Sequence, residues 1–553
     1  MRRKNQIKPG IIIFMTLFIA GILNAQEDEI RKEVTVVKPY QPVLSDANKI
    51  NLLPGITDTT RLHPDFSYSI SPRRINSEFT VRPINAAKML TEPLPKLYKS
   101  YLKAGGGNYL TPYLEISTSK LRDRKSSSGL HVRHKSSSGK VRLENDDRVF
   151  GGYANNDIKL YMKKINRNSD FHADIDFMHN SIYHYGYRPV LDTALEKPDI
   201  KKTYLFVNPS FQLASSTLDS NRLHYNLKAG YGFLYDIDNY HEHHGNFEGS
   251  LRKLIDLNYL GLDFGIDYFQ PSEIIDSSYN AIVKVGPSFS RSSNEWMFLL
   301  GFDSYFDVTG ESTKPYIYPR AQLSFNVVKN RVIPYFEIKG KLENNNYSSI
   351  LFENPYIRQD LKVKNASHKI AGIAGFRGRF SSLINFNVNV KYDIINDQHF
   401  FINDTSSLLM NKFDVIYDDI RTTRIGGEIN YRFSEKLSFF AGGELNNYNT
   451  ASEEHPWHLP SWKGYFRTHY NLKDKILATF DLSGIGKRYA IDGNADVVVL
   501  KAVPDISLHL EYRYTKILSV FLDLNNITAS RYYFWHQYPA QRFNFLAGFT
   551  YSL

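Results

Sequence analysis

From Lys96 almost to the last residue, apolar and polar side chains alternate with a period of two. Leu223, Tyr225, Leu227, Ala229, Tyr231, Phe233 and Tyr235 alternate with His224, Asn226, Lys228, Gly230, Gly232 and Leu234. The same pattern places Ile384, Phe386, Val388, Val390, Tyr392 and Ile394 against Asn385, Asn387, Asn389, Lys391 and Asp393. Ile506, Leu508, Leu510, Tyr512 and Tyr514 repeat it near the end. Successive side chains of a strand point to opposite faces, so each segment predicts a strand with one apolar and one polar face.

A soluble sandwich would also alternate. Three features favour a transmembrane barrel instead. The segments run about 10–14 residues, against a usual ~5–6 in globular sheets. Their polar faces carry Lys, Glu, Asp and Asn, and aromatics collect near strand ends, as at Tyr431 and Phe433. An outward apolar band with aromatic girdles and a polar lumen is what a transmembrane barrel needs, and lipid requires the sheet to close.

Short polar turns are predicted near 121–128, 167–170, 215–222, 252–257, 291–295, 329–330, 381–382, 434–436, 473–475 and 515–516. Longer stretches fall between them, at 137–153, 183–202, 347–367, 398–413, 449–460 and 491–503. Short periplasmic turns and long outer loops are the asymmetry of such barrels. Ten short-turn hairpins with a first and a last strand give about 22 strands.

Composition agrees. Of 553 residues 42% are hydrophobic and 23% charged, too polar for a bundle of membrane helices, yet 14% are aromatic. Long disorder is disfavoured by that aromatic content. Zero cysteines exclude thiol catalysis, zinc-thiolate and iron–sulfur sites, disulfides and a lipoprotein anchor on this chain.

Arg2, Arg3, Lys4 and Lys8 precede the apolar run Ile11–Leu23, and Asn24-Ala25-Gln26 offers a small-residue cut. Residues 1–25 therefore read as a secretory signal. Its removal lowers the formal charge from +11 to +7. The remaining cations alternate with apolar residues instead of forming a patch, which argues against a nucleic-acid partner. Residues 26–95 hold eight of the 23 prolines and read as an extended segment, periplasmic or lumen-filling. The barrel is assigned 96–553.

The chain ends Leu546-Ala547-Gly548-Phe549-Thr550-Tyr551-Ser552-Leu553. Gly548, Tyr551 and Leu553 resemble the terminal β-signal read by the barrel-assembly machinery, although Leu replaces the usual final Phe. Asn525-Asn526 with the Tyr-rich run Arg531–Trp535 and Tyr538-Pro539 resembles the last hairpin of TonB-dependent receptors. The specific match covers the last 50 or so residues. Members of that family carry a globular plug longer than 26–95, and the chain resembles the plug-less, TonB-receptor-like barrels common in the Bacteroidota. The resemblance implies an outer-membrane barrel in contact with lipid, active in solute uptake or passage. The alternative it leaves open is a non-transporting structural or assembly component of an outer-membrane complex. Glu33-Val34-Thr35-Val36-Val37 looks like a TonB box, which pairs with TonB as an added strand; a periplasmic or surface lipoprotein is the other partner it allows.

Candidate chemistry is sparse. Asp236, Asp238, His241, Glu242, His243 and His244 read as one loop, in which His241, His243 and His244 are candidate metal ligands beside the simpler reading of a solvated loop. Glu453, Glu454, His455, Pro456, Trp457, His458 and Trp462 read as a second loop, with tryptophan anchoring the rim. Lys125–Gly129 recurs as Lys135–Gly139 and reads as turn chemistry around a strand. Gly105-Gly106-Gly107 reads as an early bend. No nucleophile motif, catalytic residue or cofactor signature is present in the sequence.

Overall fold

The computed structural model describes residues 97–553, except 121–122, 188–195, 217–218, 220, 273–278, 311 and 329–330. The signal, the proline-rich segment and Glu33–Val37 lie outside the described residues. Among the described residues, one sheet contains 22 antiparallel strands, from Ser100–Gly107 to Asn544–Ser552. Each strand pairs with the next along the chain. The last pairs with the first, from Tyr101↔Ser552 to Gly107↔Leu546, so the sheet closes into a barrel.

All ten short-turn positions separate consecutive strands, as the alternation requires. The apolar face looks outward. Leu260, Leu262, Ile266 and Tyr268 of the strand Asn258–Pro271 are all exposed. Phe325, Phe380, Phe433 and Tyr514 are exposed at the short-turn end, where they form an aromatic girdle. No described helix is long and apolar enough to cross a membrane. The closed sheet leaves no edge strand and presents an apolar belt, which is the form an outer-membrane protein takes.

Three local expectations are corrected. Gly105, Gly106 and Gly107 belong to the first strand, and the turn follows at Asn108–Leu110. The glycines serve the closing seam. A Cβ on Gly107 would lie 2.0 Å from the Phe545 carbonyl oxygen, and one on Gly548 would lie 2.0 Å from that of Ala104. Ser126–Gly129 of the first Lys-Ser-Ser-Ser-Gly run and Lys135–Ser137 of the second fall inside the strand Ser126–Ser137, because serine in a ladder pairs through its backbone like any other residue. The strand Ile384–Asn403 continues through 398–403, which the alternation left as loop.

Candidate functional site: a polar lumen under an aromatic lid

The polar faces line the lumen with ion pairs, some within a strand and some across strands. Arg320 meets Asp263 at 2.6 Å and Asp303 at 3.4 Å, and Lys284 reaches the same Asp303 at 3.8 Å. Lys391 pairs with Asp393 at 2.8 Å, and Lys159 bridges Asp174 and Asp176 at 3.7 and 3.3 Å. Both signs are present in comparable number along the wall.

At the long-loop end the connections fold together into a core. Val141, Leu143, Tyr185, Ile350, Leu351, Ile357, Leu361 and Tyr538 pack with Phe401, Phe413 and Leu234 from the strand ends. Leu234 stood on the polar side of its strand in the alternation; it points into this core and is 1% exposed. A second cluster joins Trp457 to Ile395, Phe400 and Ile420. Burying this much apolar surface away from lipid gives the barrel a lid made of its own loops.

The lid is pinned at one short helix, Tyr347–Glu353, within the connection expected to be plain loop. Asn346 caps it, accepting from the Ser349 amide at 2.6 Å. Glu242 accepts from the Tyr347 amide at 3.0 Å and from the Ser348 amide at 3.3 Å, and the Tyr240 hydroxyl donates to it at 3.1 Å. Buried Lys202 pairs with buried Asp236 at 3.1 Å and donates to the Tyr347 hydroxyl at 2.7 Å. Burial pushes the Tyr347 phenol well above its ordinary range. Every charge under this helix therefore has a partner, as a dry site demands.

A tyrosine lattice holds the centre. Tyr356 stacks on Tyr538 at 3.6 Å between centroids, and Tyr185 meets Tyr538 edge-on at 5.0 Å. The Tyr185 hydroxyl donates to the Pro539 carbonyl at 3.0 Å, and that of Tyr538 to the Asn411 carbonyl. His458 lies between Phe413 and Trp535 with Nδ1 3.0 Å from the Phe401 carbonyl. Burial, with the nearby His536 and Arg488, pulls its pKa down to about 3. His184, 3.4 Å from the Asn411 carbonyl, is pulled to about 3 by burial and by Lys202 and Lys412. The rim expectation thus holds for exposed Trp462 alone. Trp457 is 3% exposed and donates to Glu453 at 2.7 Å inside the lid.

Adjacent spaces that share lining residues run from the lid's underside along the lumen beside the closing seam. A cavity of 260 Å³ touches Tyr153, Tyr185, Tyr356 and Tyr532. It shares Tyr153, Gln541 and Asn544 with one of 410 Å³ that also meets Lys135, His509 and Asp523. A third, of 330 Å³, continues past Lys135 and Asp523 to Arg133 and Lys103. On the loops, a separate pocket of 350 Å³ gathers Asp238, Arg358, Asp360, Asp404 and Lys412. There the Arg358 guanidinium holds the Asp360 carboxyl below the usual carboxylate range.

His241, Glu242, His243 and His244 form the start of the strand His241–Ile255, not a loop. The His241 and His243 rings meet at 5.6 Å, and His243 accepts or donates a hydrogen bond with the Tyr231 hydroxyl. His244 stacks on Phe269 at 4.0 Å and lies 3.4 Å from Asp267. Among the described residues no three His, Asp or Glu side chains come together in a metal-holding group. Of the terminal residues, Gly548 faces Gly105, Tyr551 faces Leu102, and Leu553 exchanges backbone hydrogen bonds with Ser100. Three residues that matter most to the lid escaped sequence reading, Lys202, Tyr347 and Tyr356, and Tyr538 was read only as part of the last hairpin. The available signal was Asn346, a good helix cap, set before Ile350-Leu351-Phe352 in a stretch otherwise read as loop.

No family model and no curated protein matches the chain. Solved structures do. The FrpB iron transporter from Neisseria meningitidis superposes with a TM-score of 0.64 at 9% identity, covering 83% of each chain. The pyoverdine outer-membrane receptor FpvA from Pseudomonas aeruginosa gives 0.62 at 9%, over 84% of this chain and 79% of that one. The siderophore receptor PiuA from Acinetobacter baumannii gives 0.59 at 9%, over 83% and 82%. These neighbours are receptors and transporters, not enzymes. At such identity the likeness is one of fold, and the chain has the 22-stranded outer-membrane barrel that its turns led one to expect, in agreement with the resemblance of its last hairpin.

Proposed function

We propose that this chain is a non-enzymatic, gated outer-membrane barrel that admits a polar solute from outside, with its own loops as the gate. The observation that carries the reading is the row of adjacent spaces beneath the lid, tyrosine-lined at the top and lined by both charge signs below. A solute meeting Arg358 and Lys412 on the loops would pass this way once the lid moved. The receptor and transporter neighbours support uptake over a purely structural role. In this reading Glu33–Val37 offers a strand to TonB or to another periplasmic partner, and 26–95 carries that strand.

The test is conductance of the mature protein in planar bilayers beside Asp236→Ala. The variant leaves buried Lys202 without its counter-charge, at a cost of about 3–5 kcal/mol to the closed lid. The expected result is a closed wild type and a conducting variant that keeps heat-modifiable migration. A folded variant that never conducts would favour the structural role instead.

A further inference from the structure

Two charges of opposite sign share the pocket on the loops and do not meet. In that 350 Å³ space the Arg358 guanidinium donates to Asp360 through Nε and Nη2. Its Nη1 donates to Asp404 and to Asp414, at 3.3 Å each. That cation is fully engaged by three carboxylates. Lys412 and Asp238 line the same space. Among the described residues, neither has an opposite charge within 4 Å.

The backbone beneath each charge is tied down. Asp238 sits in the turn between the strands His224–Asp236 and His241–Ile255, where its amide donates to the Asp236 carboxylate at 3.4 Å. The Asn239 amide closes that turn on the Asp236 carbonyl at 3.0 Å. On the other side, the Asp404 amide donates to the Lys412 carbonyl at 2.9 Å. The Arg358 amide donates to the next carbonyl, that of Phe413, also at 2.9 Å.

A concave site with one unmatched cation and one unmatched anion is complementary to a ligand that carries both. An anion alone would be repelled by Asp238 and by the carboxylates around Arg358. A cation alone would leave Lys412 unanswered. The volume decides size, since ligand pockets run from about 300 to 1,000 Å³ and this one lies at the small end.

We infer that this pocket binds a zwitterion of amino-acid or dipeptide size, its carboxylate on Lys412 and its ammonium on Asp238. The inference rests on the reading of the chain as a gated uptake barrel, and names the class of solute. Both charges belong to segments that pin the lid. Asp238 lies two residues after Asp236, the partner of Lys202, and Lys412 follows Asn411, whose carbonyl accepts from Tyr538. A solute that bridges the two charges therefore touches both anchors at once.

The test titrates the detergent-solubilised mature protein with alanine and with alanyl-alanine, followed by ligand-detected NMR. N-acetyl-alanyl-alanine, which lacks the ammonium, and alanyl-alanine amide, which lacks the carboxylate, are titrated beside them. Each blocked peptide should bind about tenfold more weakly, the size of one charged hydrogen bond lost. Asp238→Asn should weaken alanyl-alanine by the same factor and leave the acetylated peptide unchanged. Lys412→Gln should do the same and leave the amide unchanged. No binding of either zwitterion overturns the proposal, as does equal or tighter binding of a blocked peptide. Variants that weaken all the peptides alike overturn it too. Binding does not require an open lid, so it is read apart from conductance. A conducting Asp236→Ala barrel that ignores the zwitterions keeps the gate and loses this ligand, whereas binding to a barrel that never conducts keeps the ligand and strikes the gate.

Discussion

In the wall, Leu260, Leu262, Ile266 and Tyr268 of a single strand are exposed to the lipid side. In the lid, Ile350, Leu351, Ile357 and Phe413 are 1% exposed or less. The same residue types are used in opposite ways. The wall hides its backbone in a closed ladder and lets the bilayer cover its side chains. The lid hides its side chains against one another, in water, and caps its helix with Asn346 and Glu242 like a small soluble domain. Two parts held by different forces should come apart separately, the wall failing at its seam and the lid at its buried polar groups.

Gly548→Val tests the seam and should have the largest effect. The new Cβ would meet the Ala104 carbonyl oxygen at 2.0 Å and the Gly105 Cα at 2.6 Å, both backbone atoms that cannot step aside without parting the strands. Loss of the folded, heat-modifiable form is expected. Gly245→Ala is the matched control, since a Cβ there meets nothing within 4 Å, and it should assemble normally. If both assembled equally well, the seam would not be the wall's weak point.

Acid should release the lid and spare the wall. Burial holds His184 and His458 neutral, each down to about 3. Opening exposes them and returns them to an ordinary value near 6.5. Because the closed form binds the proton less readily, their contribution is complete above that ordinary value and is lost as pH falls toward 3. Each histidine costs the lid about 1.4 kcal/mol per pH unit in that window. Conductance should therefore rise between roughly pH 6 and 4, and His458→Asn should shallow the rise. A flat profile with intact protein would mean that the histidines stay buried when the lid moves.

These two regions also differed in how far they could be read beforehand. The wall is periodic, so each strand declares itself within ten residues, and turns such as Lys473-Asp474-Lys475 mark where the chain reverses. Closure followed from lipid physics with no knowledge of any contact. The lid has no period. Tyr185 finds Tyr538, and His184 finds Asn411, across hundreds of residues, and nothing local to either member announces the other. Glycine misled for a related reason: Gly105 and Gly107 fit a bend as well as a strand, and only their partners at Ala547 and Phe545 decide between the two. Likewise Trp457 and Trp462 look alike in sequence, yet one packs inward against the lid and the other stays exposed where its strand begins. The strand Ser312–Phe325 pairs with Val332–Glu343 only from Arg320↔Lys339 to Ser324↔Tyr335, and this was legible in principle, since Pro315 and Pro319, four apart, can both avoid the ladder only by facing an unpaired edge.

The smallest effect is expected from the lumen's ion pairs, and it separates stability from selectivity. Lys159 is about half exposed and lies 3.7 Å from Asp174 and 3.3 Å from Asp176. Exposed pairs of this kind are worth roughly 0–1 kcal/mol, because water already solvates both charges. Lys159→Ala should thus leave the melting of the barrel nearly unchanged, and the lid as well. It does leave two lumen carboxylates without their cation. In an Asp236→Ala background, where the lid is released, the reversal potential under a salt gradient should shift toward cation selectivity. The shift should shrink as ionic strength rises and the Debye length falls below the lumen's width. A reversal potential that did not move would mean that ions pass along another part of the wall, with the seam beside Lys135 and Asp523 as the place to mutate next.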